Sequence, residues 1–342
     1  MNNVALLDCT LRDGGYVNNW DFSARQIESA VVNLTRAGID YIELGYLTSI
    51  SSNVIGTQFC DMGSVSLFLP KDRQKSQFVI MTDVAQFDPA TLCKRGKDTV
   101  DGIRVVFYKR QIEQACKFCE TIASLGYDLF IQPMVTVDYS PIEFEKLVSR
   151  FRKTYALYSV AIVDSFGCMS EKEVDGFAEI LDACLPKDVR IGFHSHNNMN
   201  LAMQNAISFF KHANSRQIIL DASASGIGRG AGNLQTELIA NYYNMKKNER
   251  FDINAIMQVV SDVTEPISRD FAWGYSPYFM LTAMRRAHPN FATFLLANHR
   301  ISVSRFSEYL AAIPDDMLTK CTRPYVEQLY QDYVQKGDYD EL

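Results

Sequence analysis

A (β/α)8 TIM barrel followed by a helical C-terminal extension is the fold predicted for this 342-residue chain. Three observations predict it. Eight short runs rich in Val, Ile and Phe recur from residue 4 to residue 223, segments of helical period lie between most of them, and the alternation stops after residue 246.

The runs are "VALLD" (4–8), "YIELG" (41–45), "FVIMT" (78–82), "GIRVVF" (102–107), "DLFIQPM" (128–134), "SVAIVD" (159–164), "RIGFHSH" (190–196) and "QIILDAS" (217–223). They read as strands apolar on both faces, as a parallel sheet covered on both sides requires. Helical period is clear in "SARQIESAVVNLTRAG", "RQIEQACKFCETIASLG", "SPIEFEKLVSRFRKTY", "SEKEVDGFAEILDACL" and "NMNLAMQNAISFFKHA", and weak over 46–77 and 83–101. Eight such units in about 245 residues match the usual size of a closed barrel; a doubly wound open sheet is the alternative. Beyond them, "INAIMQVVSDVTEPI", "SPYFMLTAMRRAHPNFATFLLA", "SVSRFSEYLAAI" and "RPYVEQLYQDYVQKG" read as helices set apart by Pro, Asn and Gly. The expected division is a barrel over 1–250 and a helical extension over 251–342, with the tail "KGDYDEL" frayed.

Composition narrows the function. A net charge of -6 argues against a nucleic-acid surface, which needs clustered Lys and Arg. No run approaches the roughly 20 apolar residues of a membrane span, and "MNNVALLDC" lacks the basic start and long apolar stretch of a signal peptide. The eight cysteines are scattered and read as reduced residues of a cytoplasmic protein. "CKFC" (116–119) has redox spacing, but it lies in a helix-period stretch with no second pair and reads as helix thiols.

In such a barrel the chemistry sits at the C-terminal ends of the strands. The first strand runs into "DCTLRDGGY", with Arg12 and Asp13 side by side and two glycines that would let the chain turn clear of a ligand. The second carries Glu43, the sixth ends in Asp164 and Ser165, the seventh in "HSHNN", and the eighth in Asp221 before "GIGRGAGN". His194 and His196, at i and i+2, share one face of their strand. Two imidazoles crowded inward suit a divalent cation; the plainer reading is hydrogen-bonded polar residues at a barrel mouth. Closure would make strands seven, eight and one neighbours, gathering Asp13, both histidines and the loop bearing Asn233. Three protein ligands would leave positions open for substrate, and oxygen with nitrogen donors favours Mn2+ or Mg2+. "GIGRGAGN" fits a G-x-G-x-x-A pattern, but it follows the last strand and no further acidic strand end comes after it. It reads instead as an anion or metal-ligand loop, with Arg229 as an anion contact.

Together "DCTLRDG", "HSHNN" about 180 residues on, and "GIGRGAGN" followed by "TE" resemble the DRE-TIM metallolyases, a group that includes hydroxymethylglutaryl-CoA lyase, isopropylmalate synthase and 4-hydroxy-2-oxovalerate aldolase. The resemblance spans about residues 4–240. It implies that Asp13, His194 and His196 ligate the metal with Asn233 as an additional ligand. It also implies that Arg12 steadies an enolate oxygen and that Glu43 completes an Asp-Arg-Glu set. "VDSFG" and the Trp-Gly-Tyr at 273–275 lean toward the hydroxy-oxovalerate aldolase branch. Asp164, Ser165 and Arg229 are the expected substrate contacts. That branch carries a histidine base three positions after the metal-binding Asp; this chain has Tyr16 there. Tyr16 becomes the candidate for proton transfer, a role as base requiring a pKa well below about 10.

The resemblance thus implies a lyase, dependent on Mn2+ or Mg2+, that makes or breaks a C–C bond beside a 2-oxo acid of the pyruvate type, with an aldehyde as second substrate. The rival expectations are a Claisen-type acyl-CoA condensing synthase on the same barrel, and a binding protein with reduced catalysis. A homodimer, and a dehydrogenase partner docked on residues 271–342, are further expectations.

Overall fold

The computed structural model describes residues 3–49, 56–154, 156–214, 216–246, 249–319 and 321–337; the tail expected to fray lies almost wholly outside them. Eight parallel strands close into a barrel: β1 (Val4–Asp8), β2 (Tyr41–Leu47), β4 (Gln77–Asp83), β5 (Gly102–Phe107), β6 (Asp128–Pro133), β7 (Leu157–Asp164), β8 (Arg190–Ser195) and β9 (Ile218–Ala222). A two-residue strand, β3 (Gln58–Phe59), pairs with the end of β2. Closure is made by β1, which pairs with β9 from Val4↔Ile218 to Asp8↔Ala222 and with β2 at Leu7↔Tyr41.

Side chains alternate along each strand, and the two sets do different work. Outward residues such as Leu6, Ile42, Ile103 and Leu220 merge with the helices into one continuous core. Inward residues Ala5, Leu7, Tyr41, Val79, Phe130 and Ile219 form a separate cluster that plugs the barrel floor. Two residues further along the strands, the next inward layer contains Glu43, Arg104, Gln132 and Asp221, all buried. Barrel layers are ordinarily built of branched apolar side chains, so a charged layer directly beneath the mouth marks where function has displaced packing.

Three outer helices start with reciprocal caps: Ser23 with Gln26, Ser140 with Glu143, and Ser170 with Glu173. The two segments of weak period contain only a five-residue helix (Met62–Ser66) and a 3-10 turn (Pro89–Thr91) among the described residues. The helix predicted to open the extension, Ile253–Val259, continues through a π-turn at Val260–Thr264 into Glu265–Ser268. Its Ala255, Ile256, Val259, Val263 and Ile267 belong to the barrel core, packed against helix Ala24–Arg36. A second core of Ala287, Phe291, Leu295, Phe306, Tyr309 and others begins only later. The barrel's apolar core thus takes in the first helix of the extension, as far as Ile267. No described helix is long and apolar enough to cross a membrane.

Candidate active site

Beyond β1 the expected loop is instead two helical turns, Thr10–Asp13 and Gly15–Asn18. Asp8 holds their start: its carboxylate accepts the Thr10 N–H at 2.9 Å and the Thr236 hydroxyl at 2.7 Å. Burial outweighs those bonds and pushes its pKa up to about 6. The two glycines serve close packing rather than a tight turn. Gly14 has ordinary helical torsions, but a Cβ there would stand 2.5 Å from the Thr10 carbonyl, and one at Gly15 would stand 2.2 Å from the Trp20 ring.

The charged layer and this first turn join into a closed ring. Arg12 pairs with Asp13 and donates from Nε to Glu43 at 2.7 Å. The same Glu43 oxygen lies 2.9 Å from Arg104, Arg104 pairs with Asp221, and Asp221 lies 3.1 Å from His194 Nδ1. His194 Nε2 returns to Asp13 at 3.4 Å. Two guanidinium groups thus face three carboxylates, all buried. Burial alone would raise Asp13, but Arg12, with both histidines, holds its carboxyl well below the usual range. Asp221 is likewise held below its ordinary value, as Arg104 and His194 offset its burial. The ring keeps one uncompensated negative charge, which a divalent cation would reverse.

The chemistry of the donors suits such a cation: ligand atoms of Asp13 and His194 lie within 4.8 Å of one another, and the His196 ring centre is 5.1 Å from that of His194. Asp221 on His194 Nδ1 fixes the tautomer that leaves Nε2 as a lone-pair donor beside Asp13, the carboxylate–histidine arrangement typical behind a metal. Neither ring nitrogen of His196 has a hydrogen-bond partner among the described residues, and burial pushes its pKa down to about 3, leaving it neutral. The Cys9 sulfur is also close to Asp13 and His194. Burial pushes its pKa well up, and the thiol donates to the Ala222 carbonyl at 3.1 Å, so without an ion it is held as the neutral thiol.

Asn233 stands beside Asp13. Its amide nitrogen, not its oxygen, faces Asp13 at 2.8 Å and also donates to the Ile227 carbonyl at 3.0 Å. Asn233 thus clamps the Asp13 carboxylate, while its Oδ1 is buried without a donor. The glycine-rich loop makes room for it: Gly226, Gly230 and Gly232 have positive φ, and a Cβ on Gly228 would stand 2.3 Å from Asn233 Nδ2.

A cavity of about 830 Å3 fills the mouth, and Arg12, Asp13, Tyr16, Ser165, His194, His196 and Arg229 line it. Glu43 lies beneath Arg12, away from the cavity. Asp164 also turns aside: its two oxygens accept the N–H groups of Cys168 and Met169 at 3.0 and 3.1 Å, shaping the loop after β7. Burial pushes its pKa up to about 6 against those bonds. Ser165 accepts the N–H of Val135 at 2.9 Å, steadying a β-branched residue held at φ 54°. Tyr16 lies under the Arg229 guanidinium, 4.3 Å from its ring centre. Desolvation raises its pKa despite Arg229 and Arg12, so the phenol is a proton donor rather than a ready base.

Two site residues escaped the sequence. Arg104 closes the ring, and its signal was a lone arginine inside the apolar run "GIRVVF". His288 comes from the extension, whose Phe279, Asn290, Thr293, Phe294 and Arg323 roof the cavity; the "AHPN" break between two helices was its only trace.

A family profile described as HMGL-like matches residues 106–263. A 4-hydroxy-2-oxovalerate aldolase from Marinomonas sp. is 28% identical over 273 residues, 77% of this chain and 78% of that protein. One from Roseiflexus sp. is 25% identical over 98% of this chain and 95% of its own. An oxaloacetate decarboxylase from Mycobacterium tuberculosis is 27% identical over 68% of each. Among solved structures, the N-terminal domain of a candidate aldolase from Bacteroides vulgatus superposes with a TM-score of 0.75 at 25% identity, covering 88% of this chain and 99% of that one. Pyruvate carboxylase from Rhizobium etli shares the fold at 12% identity and a TM-score of 0.74, over 97% of this chain and 32% of that one. The Asp-Arg pair after β1, the paired histidines of β8 and the asparagine-bearing glycine loop gather at one barrel mouth, in a chain that is similar to HMGL-like proteins and to 4-hydroxy-2-oxovalerate aldolases.

Proposed function

We propose that this carbon–carbon lyase makes or breaks a bond next to a 2-oxo acid of the pyruvate type, with an aldehyde as the second substrate, in the presence of Mn2+ or Mg2+. The observation that carries the reading is the buried ring Asp13–Arg12–Glu43–Arg104–Asp221–His194, open to a cavity on its Asp13 and His194 side. Asp13, His194 and His196 would hold the ion, with Asn233 steadying Asp13. When bound, the ion supplies positive charge to the carboxylate and keto oxygens of the substrate.

The chain's own groups do the rest. Arg12 is locked by Glu43 and Asp13 through Nε and Nη1, and no described residue engages Nη2. That terminal N–H pair is free to meet the keto oxygen as it gains enolate charge, a preorganised donor that costs nothing to reorient at the moment of reaction. Arginine suits this because it stays charged at any working pH. Tyr16, protonated and at the same cavity wall, donates its proton to the aldehyde oxygen as the new bond forms and is left as phenolate; in cleavage it is this phenolate form that takes the proton of the substrate hydroxyl. The names borne by the similar aldolases and decarboxylase agree with this substrate class. The test is cleavage of racemic 4-hydroxy-2-oxopentanoate, followed by pyruvate release with Mn2+ and after chelation. Pyruvate release that depends on the ion is expected; no release from this or any 4-hydroxy-2-oxo acid would refute the reading.

A further inference from the structure

The roof of the cavity carries chemistry that the ring does not use. We propose that Arg229, His288 and Arg323 form a second subsite, which takes an oxyanion carried at the far end of the substrate, so that the aldehyde fragment is itself acidic. The inference rests on the reading of the mouth as a 2-oxo acid site.

Geometry argues for it first. His288 is 8% exposed, and its Nδ1 accepts the backbone N–H of Asn290 at 3.1 Å. A backbone N–H can only donate, so Nδ1 carries no proton, and the neutral ring must hold its hydrogen on Nε2. Burial, reinforced by Arg229, keeps the ring neutral. Nε2 lies 3.4 Å from Arg229 Nη1, yet both atoms are then donors and cannot satisfy each other. They converge on the cavity with no acceptor between them, which is the arrangement a carboxylate or phosphate oxygen would complete.

Charge argues the same way. Among the described residues the half-buried Arg229 has no ion-pair partner, although most other buried or half-buried arginines here do, and Arg323, exposed at the cavity rim, has none either. Arg323 lies over the Phe294 ring at 5.6 Å, and both line the cavity. The carboxylates lining the cavity are Asp13, committed to the ring, and Asp83, whose oxygen accepts the Ala85 N–H at 2.7 Å. Unpaired cations in a half-enclosed cleft raise the local concentration of anions. The cavity, at about 830 Å3, also far exceeds what a three-carbon acid and a two-carbon aldehyde would fill.

The experiment is calorimetric titration of the full chain, loaded with Mg2+, with matched ligands. 2-Oxoglutarate and 2-oxopentanoate differ only in the terminal carboxylate, and 2-oxo-4-phosphonobutanoate replaces that carboxylate by a phosphonate. The diacid or the phosphonate is expected to bind at least about tenfold more tightly than 2-oxopentanoate, and the stronger of the two identifies the oxyanion. The preference is expected to collapse in Arg323→Gln and in His288→Gln, each checked for folding by its thermal midpoint. Equal affinities in the wild type, binding of none of the three, or a preference that survives both substitutions would overturn the subsite. A preserved preference without ion-dependent pyruvate chemistry would overturn the lyase reading instead.

Discussion

Replacing Arg104 by Met removes the cation shared by Glu43 and Asp221 while keeping much of the side-chain volume. Those two carboxylates are 0% and 3% exposed, so water cannot take over. Each keeps one partner, Arg12 Nε for Glu43 and His194 Nδ1 for Asp221. Breaking a buried ion pair from one side costs about 3–5 kcal/mol, and about 4 kcal/mol is expected here from urea unfolding of the metal-free protein at pH 7. Arg104→Lys should recover only part of this, because one ammonium cannot span two carboxylates as the guanidinium fork does. The pH dependence has a fixed sign. Asp221 has its folded-state value held below its ordinary 3.8, so its contribution is complete above about pH 4 and fades as pH falls through the lowered value. The gap between wild type and Arg104→Met should therefore close in acid. A loss below about 1 kcal/mol at pH 7, or a gap that widens in acid, would refute the ring as a buried, mutually dependent unit.

Further outcomes follow from the same geometry. His194→Ala should abolish tight Mn2+ binding, and Asp221→Asn should weaken it about 10- to 100-fold by releasing the ring that Asp221 orients, both read by calorimetric titration. Tyr16→Phe should lower turnover about 100-fold with Mn2+ affinity unchanged; equal turnover would remove the phenol from the proton path. Gly228→Ala, whose Cβ would stand 2.3 Å from Asn233 Nδ2, should weaken Mn2+ binding while the fold is retained. Asp8 and Asp164, each pushed up to about 6 by burial, make the folded state hold protons that the unfolded chain releases. Stability should fall as pH rises from about 4 to 6, by at most about 3 kcal/mol per group, and Asp8→Asn should flatten that slope in thermal unfolding.

The barrel was legible because eight short, largely apolar runs alternate with segments of helical period, the pattern of a parallel sheet covered on both sides. The eight predicted runs lie within a few residues of the strands. The paired histidines were legible for a related reason, since the two-residue strand period puts His194 and His196 on one face whatever the tertiary details. Arg104 was not, because a single arginine in "GIRVVF" is explained only by the carboxylates that closure brings opposite it. Asp164 was read as a substrate contact because it ends a strand, but its oxygens go to local backbone N–H groups, a choice set by the loop's path rather than by residue type. Gly14 and Gly15 announced a constraint without its nature, which is the proximity of Thr10 and Trp20. The roof was least legible of all: the approach of His288 and Arg323 to the mouth depends on how a second apolar core docks on the first.

The central claim is that this ring-bounded mouth generates an enolate from a 2-oxo acid. It is tested most directly by incubating the Mn2+- or Mg2+-loaded protein with pyruvate in heavy water and following the methyl proton signal by NMR, with Asp13→Asn alongside. The account predicts that the signal decays with ion and wild-type protein together and persists in Asp13→Asn. A signal that persists in the wild type with the ion bound, or decays equally in Asp13→Asn, would contradict it.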